Sequence, residues 1–159
     1  MKKVLLIITC ILIMTGCSTQ EETDTNISLS IDKVKTSLTN IEIEESKPFA
    51  NQESLNDLDL IEGYGIDVSL LEEYAIYISS SVEDPSMYMV LKPIADKTSV
   101  VKYQVKDMFD KYLNAYKGYY PEVATIIEDK MEKEQNGYLI YIVSLDNQKV
   151  YNKILECKE

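Results

Sequence analysis

Apolar side chains change rhythm several times along this chain, and each change marks an element. Ile27, Ile31, Val34 and Leu38 recur at helical spacing, which predicts a short amphipathic helix over about 30–39 with Ser30 placed to cap it. Ile41-Glu42-Ile43-Glu44 then alternates as an edge strand or extended linker does, until Lys47-Pro48 breaks it. Leu55, Leu58, Ile61 and Tyr64, three apart, predict one or two helical turns within 52–66, ended by Gly63-Tyr64-Gly65. Residues 67–73 read as a helical turn capped by Asp67 or Ser69. Residues 74–78 (YAIYI) and 87–91 (MYMVL) are strand-like, and the turn-rich stretch between them makes an antiparallel pair. The longest helical pattern covers 96–118, with Val101, Val105, Met108, Phe109, Tyr112, Leu113 and Tyr116 on one face. Asp96 or Thr98 is placed to cap its start and Gly118 its stop. Pro121 opens a further helix, with Val123, Ile126, Ile127 and Met131 inward, residues 128–134 as its wet end, and Asn136-Gly137 as its stop. Residues 138–144 (YLIYIVS) have almost no polar atom on either face, which predicts a central strand. Asp146 is placed to cap a last helix that turns Val150, Tyr151, Ile154 and Leu155 inward. This order predicts an α+β fold: a small, mainly antiparallel sheet with helices packed on one face. No internal repeat or low-complexity tract interrupts it.

The first residues follow neither rhythm. Lys2 and Lys3 precede an unbroken apolar run over 4–14 (VLLIITCILIM). That run is shorter than the roughly 20 residues a membrane span needs, and it suits a secretory signal peptide. It ends in Met14-Thr15-Gly16-Cys17, which resembles the bacterial lipoprotein signal, whose lipobox reads Leu-(Ala/Ser/Thr)-(Gly/Ala)-Cys; Met14 stands in place of the usual Leu. The resemblance implies cleavage between Gly16 and Cys17, and a diacylglycerol carrying acyl chains such as palmitate on the Cys17 thioether. Each buried methylene contributes ~0.8 kcal/mol, so two chains hold a protein on a membrane where one does not. The other reading is a plain signal peptide or short anchor with Cys17 incidental. The expected division is a signal peptide over 1–16, a flexible tether over 17–29, an amphipathic helix and linker over 30–50, and a single α+β domain over 51–159. The expected location is the extracytoplasmic face of the cell membrane.

Composition narrows the function classes. Removing 16 of the 159 residues leaves 143, one ordinary domain with a tether, and 45% hydrophobic content is enough for a packed core. Losing Lys2 and Lys3 with the leader leaves 14 Lys against 27 acids, a net charge of −13. Every basic residue is Lys, and without Arg or a basic face nucleic acid is excluded as a partner. An acidic body also stands off the anionic surface it is tied to. Cys10 leaves with the leader and a lipidated Cys17 has no free thiol, so Cys157 has no intramolecular disulfide partner.

The chain has no His, which removes His-based acid–base and nucleophilic catalysis and nearly all transition-metal sites; no cofactor and no metal are expected. With no Trp and five Gly, it lacks the usual sugar-stacking platform and a phosphate-cradling loop. Ser30-x-x-Lys33 reads as a cap followed by a surface Lys. Asp57-x-Asp59 lacks the remaining ligands of a calcium loop and reads as a solvated helix face. Paired carboxylates of the glycosidase kind are expected by chance in so acidic a chain. What stands out is twelve Tyr against two Phe. Either Tyr takes the place of Phe in a half-wet core, or Tyr74, Tyr77, Tyr88, Tyr138 and Tyr141 line a surface for a protein or peptide.

Residues from about Leu55 to Lys153 resemble a family of uncharacterised lipoproteins of Gram-positive bacteria. The resemblance is carried by Tyr64-Gly65-Ile66-Asp67, Glu73-Tyr74-Ala75-Ile76-Tyr77, the Lys/Asp-rich helix with Tyr112, Tyr119-Tyr120-Pro121 and Gly137-Tyr138. It implies an extracytoplasmic domain of unknown function and supplies no catalytic residues. The expected function is therefore a membrane-anchored, non-enzymatic protein-binding or accessory module of the cell envelope. The alternative is a small-ligand or ion-binding lipoprotein.

Overall fold

The computed structural model describes residues 28–50 and 55–159. It contains five helices and one four-stranded antiparallel sheet, an α+β fold. In chain order these are α1 (Ile31–Thr39), α2 (Asp57–Tyr64), a 3-10 turn (Val68–Leu70), β1 (Leu71–Ile78), β2 (Met87–Pro93), α3 (Thr98–Lys117), α4 (Pro121–Glu128), β3 (Met131–Gln135), β4 (Tyr138–Val143) and α5 (Asn147–Leu155). The strand order is β1-β2-β4-β3. The Tyr138–Val143 strand is central, as its apolar run requires, and all six of its residues are buried.

Helices cover both faces of the sheet, not one. Alternation sends Met87, Met89 and Leu91 of β2, with Leu139, Tyr141 and Val143 of β4, against α3 and α4. The residues between them, Tyr88, Val90, Tyr138, Ile140 and Ile142, point the other way, against α1 and α5. Two central strands apolar on both faces need two covers. The segment over 30–50 is therefore part of the fold, not a helix and linker ahead of it. Val34, Leu38, Ile41, Ile43 and Phe49 are all buried in the second layer. Phe49 stands edge-on to both Tyr77 and Tyr88, with ring centroids 5.4 and 5.3 Å away.

The stretch expected as tether also ends inside the fold. Leu29 is buried and bridges to Lys158, Ser30 N–H donates to Cys157 O (2.8 Å), and Glu159 N–H donates to Ser28 O (3.1 Å). The Tyr138 hydroxyl lies 3.3 Å from both the N–H and the carbonyl of Leu29. The described chain thus enters beside its own C-terminus, at the β4 end marked by Tyr138. Cys157 is buried in this clasp, and its thiol donates to Lys153 O.

One strand stood where a helix was expected. Helix α4 stops at Glu128, and Met131–Gln135 pairs with β4 as an edge strand. Glu132, Lys133 and Glu134 are exposed and charged, which suits an edge that must not recruit a second sheet. Asn136 and Gly137 (φ 52° and 80°) make the two-residue hairpin turn between them rather than a helix stop. Local capping agrees with the sequence in part. Asn56 and Asp59 form a capping box on α2, Asp67 accepts from Ser69 N–H, and Asp146 accepts from Lys149 N–H. Ser30 makes no side-chain cap, and α3 starts after Lys97 with no side-chain cap.

The Ile41–Glu44 alternation closes as a tight turn: Ile43 and Ser46 exchange backbone hydrogen bonds of 2.8 and 2.9 Å. Its two central residues, Glu44 and Glu45, have φ of 47° and 66°, where a side chain costs about 1 kcal/mol or more. Exchanging the pair for Asn-Gly relieves that cost. Urea unfolding of this variant should show a midpoint raised by about 1 kcal/mol of stability. An unchanged or lowered midpoint would show that the glutamates sit there without strain.

Candidate functional site

The five tyrosines expected to form a binding surface do not form one. Tyr77, Tyr88, Tyr138 and Tyr141 are buried, and alternation divides them: Tyr141 packs with α3, while the other three pack with α1 and α5. Tyr77 stacks on Tyr88 with centroids 5.9 Å apart. Tyr74 is half-buried and donates its hydroxyl to Asp57 (2.6 Å), so Asp57 and Asp59 serve a tyrosine and a helix cap. Of the two readings of the Tyr surplus, the core reading describes these strands. The exposed tyrosines lie on α3 and at the α3–α4 corner: Tyr103, Tyr119 (84% exposed) and Tyr120. A string of rings, Tyr112, Tyr116 and Tyr120, runs into that corner with centroids 5.0 and 6.1 Å apart.

Burial raises the Tyr141 hydroxyl to about 12, helped by the carboxylates of Glu132 and Glu134. Tyr112 is raised as well, first by burial and then by its hydrogen bond with Tyr116. A tyrosine raised on folding is deprotonated more readily in the unfolded chain. Stability is therefore held below pH about 10 and lost as pH climbs toward 12. Alkaline titration followed at the tyrosinate absorbance should show unfolding in that window, with a shallower loss in Tyr141→Phe. An identical profile for the variant would contradict this.

One cleft lies at the other end of the sheet from the chain entry. There β1 ends, β2 begins and β4 ends, and the loops joining them enclose about 480 Å³. That is within the range of ligand pockets. The 79–86 loop is held open by its own short side chains. Ser79 N–H donates to Ser86 O (3.0 Å), Ser81 N–H to Ser79 Oγ (3.2 Å), and Glu83 N–H to Ser81 Oγ (3.3 Å). Both oxygens of Asp84 are used, one by Ser86 N–H (2.9 Å) and one by Ser79 Oγ (3.5 Å). Across the cleft, Asn147 accepts from Ser144 N–H (2.8 Å) and donates to Asp129 O (2.8 Å), which ties the end of β4 to the end of α4.

The lining mixes serine hydroxyls with apolar surface from Pro48, Pro85, Ile126 and Leu145. Among the described residues that line it, Lys47 is the single basic one, and it pairs with Glu42 at 3.8 Å. Ser86 lines the cleft and is only 5% exposed. A shallower groove of about 470 Å³ shares Ile126, Ser144 and Leu145 with the cleft and extends it past Glu128 and Asp129. No signal in the sequence brings Ser79, Ser86, Ser144 and Lys47 together; only the meeting of three strand ends does.

A second hollow, of about 510 Å³, lies between α3 and β3 over Leu139 and Tyr141. Lys102–Glu134, Lys106–Asp110 and Lys130–Glu132 ion pairs line it. These pairs satisfy one another over the core edge.

Residues 45–144 match a family described as Domain of unknown function (DUF4358). The chain belongs to that family. No curated protein and no solved structure matches it. The DUF4358 match takes in all four strands, α2, α3 and α4, and most of the lining of the far-end cleft; α1 and α5 lie outside it. Among the described residues no group of three or more Cys, Asp or Glu side chains is arranged to hold a metal ion, and no helix is long and apolar enough to cross a membrane. The sequence-predicted lipidation and cleavage residues, Cys17 and Gly16, lie outside the described residues, as do the signal peptide and the tether up to residue 27.

Proposed function

We propose that this DUF4358 protein is a lipid-anchored, non-enzymatic accessory module of the cell envelope that presents its far-end cleft to a partner protein. The observation that carries the reading is the placement of two features. The described chain enters beside its C-terminus at the Tyr138 end of β4, and the cleft opens at the Val143 end. Six strand residues separate them, roughly 20 Å. An anchor on Cys17 would join the body through residues 18–27, a reach of at most about 40 Å. The cleft would then face away from the membrane, toward other envelope proteins. Repulsion between an acidic body and an anionic surface favours the same posture.

Membrane fractionation tests the anchor. Wild-type protein should sediment with membranes and incorporate labelled fatty acid, whereas Cys17→Ala should do neither. A Cys17→Ala protein that is cleaved and partitions as wild type does would remove the lipid from the reading. In-cell cross-linking then tests the partner: one dominant envelope protein should be captured by wild type and lost with the anchor. A second reading, a small-ligand lipoprotein, is favoured by the cleft volume alone. A thermal-shift screen separates the two, since a specific small ligand raises the melting temperature by mass action.

A further inference from the structure

We propose that the clasp end of the α1–α5 layer is a foot that turns toward an anionic lipid surface and orients the body on it; this rests on the lipid-anchored reading above. Three observations converge on that partner. The first is placement. The described chain begins in the clasp, where Leu29 bridges to Lys158. Lys33 Nζ donates to the Lys158 carbonyl (2.8 Å), so two lysines stand beside the point from which residues 18–27 lead back to Cys17. Lys35 is exposed on the same stretch of α1. A short connection to a lipidated Cys17 would hold this end near the bilayer at high effective concentration, so a weak attraction is enough to order the body.

The second is the partition of charge. Residues 28–36 and 153–159 carry Lys33, Lys35, Lys153 and Lys158 against Asp32, Glu156 and Glu159, a net charge of +1. The other described residues carry ten Lys against twenty Asp and Glu, a net charge of −10. Part of that excess lies at the opposite end of the sheet, where Glu44, Glu45, Glu83 and Asp129 are exposed beside the far-end cleft and its groove. An anionic surface attracts Lys and repels acids within about a Debye length, ~8 Å. The clasp end can approach such a surface where the far end is pushed away.

The third is pairing. Seven of the ten lysines outside the clasp are in ion pairs with described acids. At the clasp Lys153 is paired, with Glu156 (2.8 Å), whereas Lys33, Lys35 and Lys158 have no carboxylate partner among the described residues. A lysine held by a neighbouring acid presents little field, while an unpaired one meets headgroup phosphates as a point charge. A soluble polyanion would be repelled by the acidic remainder and would find no Arg fork to grip it. A tethered bilayer needs only to be the nearest anionic surface.

The test uses the mature lipid-anchored protein in two kinds of vesicle, phosphatidylcholine alone and phosphatidylcholine mixed with phosphatidylglycerol, each with an acceptor dye on its headgroups. A donor dye is placed on Thr36→Cys at the foot or on Val82→Cys at the far end; both positions are exposed, and the native Cys157 is buried. On the mixed vesicles energy transfer should rise at Thr36→Cys and fall at Val82→Cys, relative to phosphatidylcholine alone. Salt at about 1 M, where the Debye length is about 3 Å, should erase the change. Lys35→Glu/Lys158→Glu should erase it as well, whereas Lys117→Glu/Lys133→Glu, with the same change in net charge, should keep it. The Lys35 and Lys158 side chains bond to no described residue, so their double variant should melt close to wild type. The proposal is overturned by equal transfer on both kinds of vesicle, by a change that survives Lys35→Glu/Lys158→Glu, or by one that Lys117→Glu/Lys133→Glu also abolishes. The two readings fail separately. If Cys17 carries no lipid, residues 18–159 joined at residue 18 to a synthetic lipid undergo the same comparison, and an ordered body there upholds the foot without the native anchor. An unordered body on natively lipidated protein removes the foot and leaves the anchor.

Discussion

Replacing Phe49 with alanine will destabilise the fold by about 3–5 kcal/mol, as much as emptying a position in a central strand. Phe49 has no exposed surface, and its ring stands edge-on to both Tyr77 of β1 and Tyr88 of β2. Removing it leaves a cavity beside two edge-on aromatic contacts, each worth about 0.5–1.5 kcal/mol beyond the area it buries. The neighbouring backbone is pinned by the 43–46 turn and cannot collapse freely into the gap. For a domain of this size the melting temperature should fall by about 10–20 °C. Phe49→Leu, which keeps most of the volume, should lose under half as much. The expectation discriminates between two roles for residues 30–50. If they were a linker ahead of the domain, Phe49→Ala would leave thermal and urea unfolding unmoved.

A fragment cut to residues 45–144, the span of the family match, will not fold alone. It lacks α1 and α5, and with them Val34, Leu38, Val150 and Ile154. Their loss uncovers Tyr88, Val90, Tyr138, Ile140 and Ile142 on the second face of the sheet. Each such side chain loses about 1.5–3 kcal/mol on exposure. Five of them together lose about 7.5–15 kcal/mol, as much as the roughly 5–15 kcal/mol that holds a domain folded. The fragment should aggregate or bind a hydrophobic dye, with no cooperative thermal transition. Residues 28–159 should give a dispersed, two-state fold. A monomeric 45–144 fragment that melts cooperatively would show that the α1–α5 layer is an ornament on a self-sufficient unit.

The α1–α5 layer also shows how far the sequence could be read. Residues 138–143 carry apolar side chains at every position, and that established a central strand, because only a strand covered on both faces tolerates such a run. The same observation implies a second covering layer. All the helices were expected on one face; α1 and α5 instead cover the other. Each has one apolar stripe, and periodicity cannot say which sheet face a stripe will meet. The β3 strand was illegible for a different reason. An edge strand with Glu132, Lys133 and Glu134 outward buries too little for a period to register. Its one signal, Asn136-Gly137, serves equally as a helix stop and a hairpin turn.

By itself the sequence determined the fold class, the central strand, the β1–β2 pairing and most element positions, because those follow from local spacing and turn chemistry. The sequence also carries the Cys17 motif on which the anchor reading rests. Only the tertiary structure decided that Tyr77, Tyr88, Tyr138 and Tyr141 are core, since a tyrosine on a strand reads alike whether its ring meets a helix or water. Only the tertiary structure brought Lys47, Ser79, Ser86 and Ser144 around one cleft at the end opposite the chain entry. These residues come from three stretches of chain with no shared spacing, and what unites them is the convergence of three strand ends.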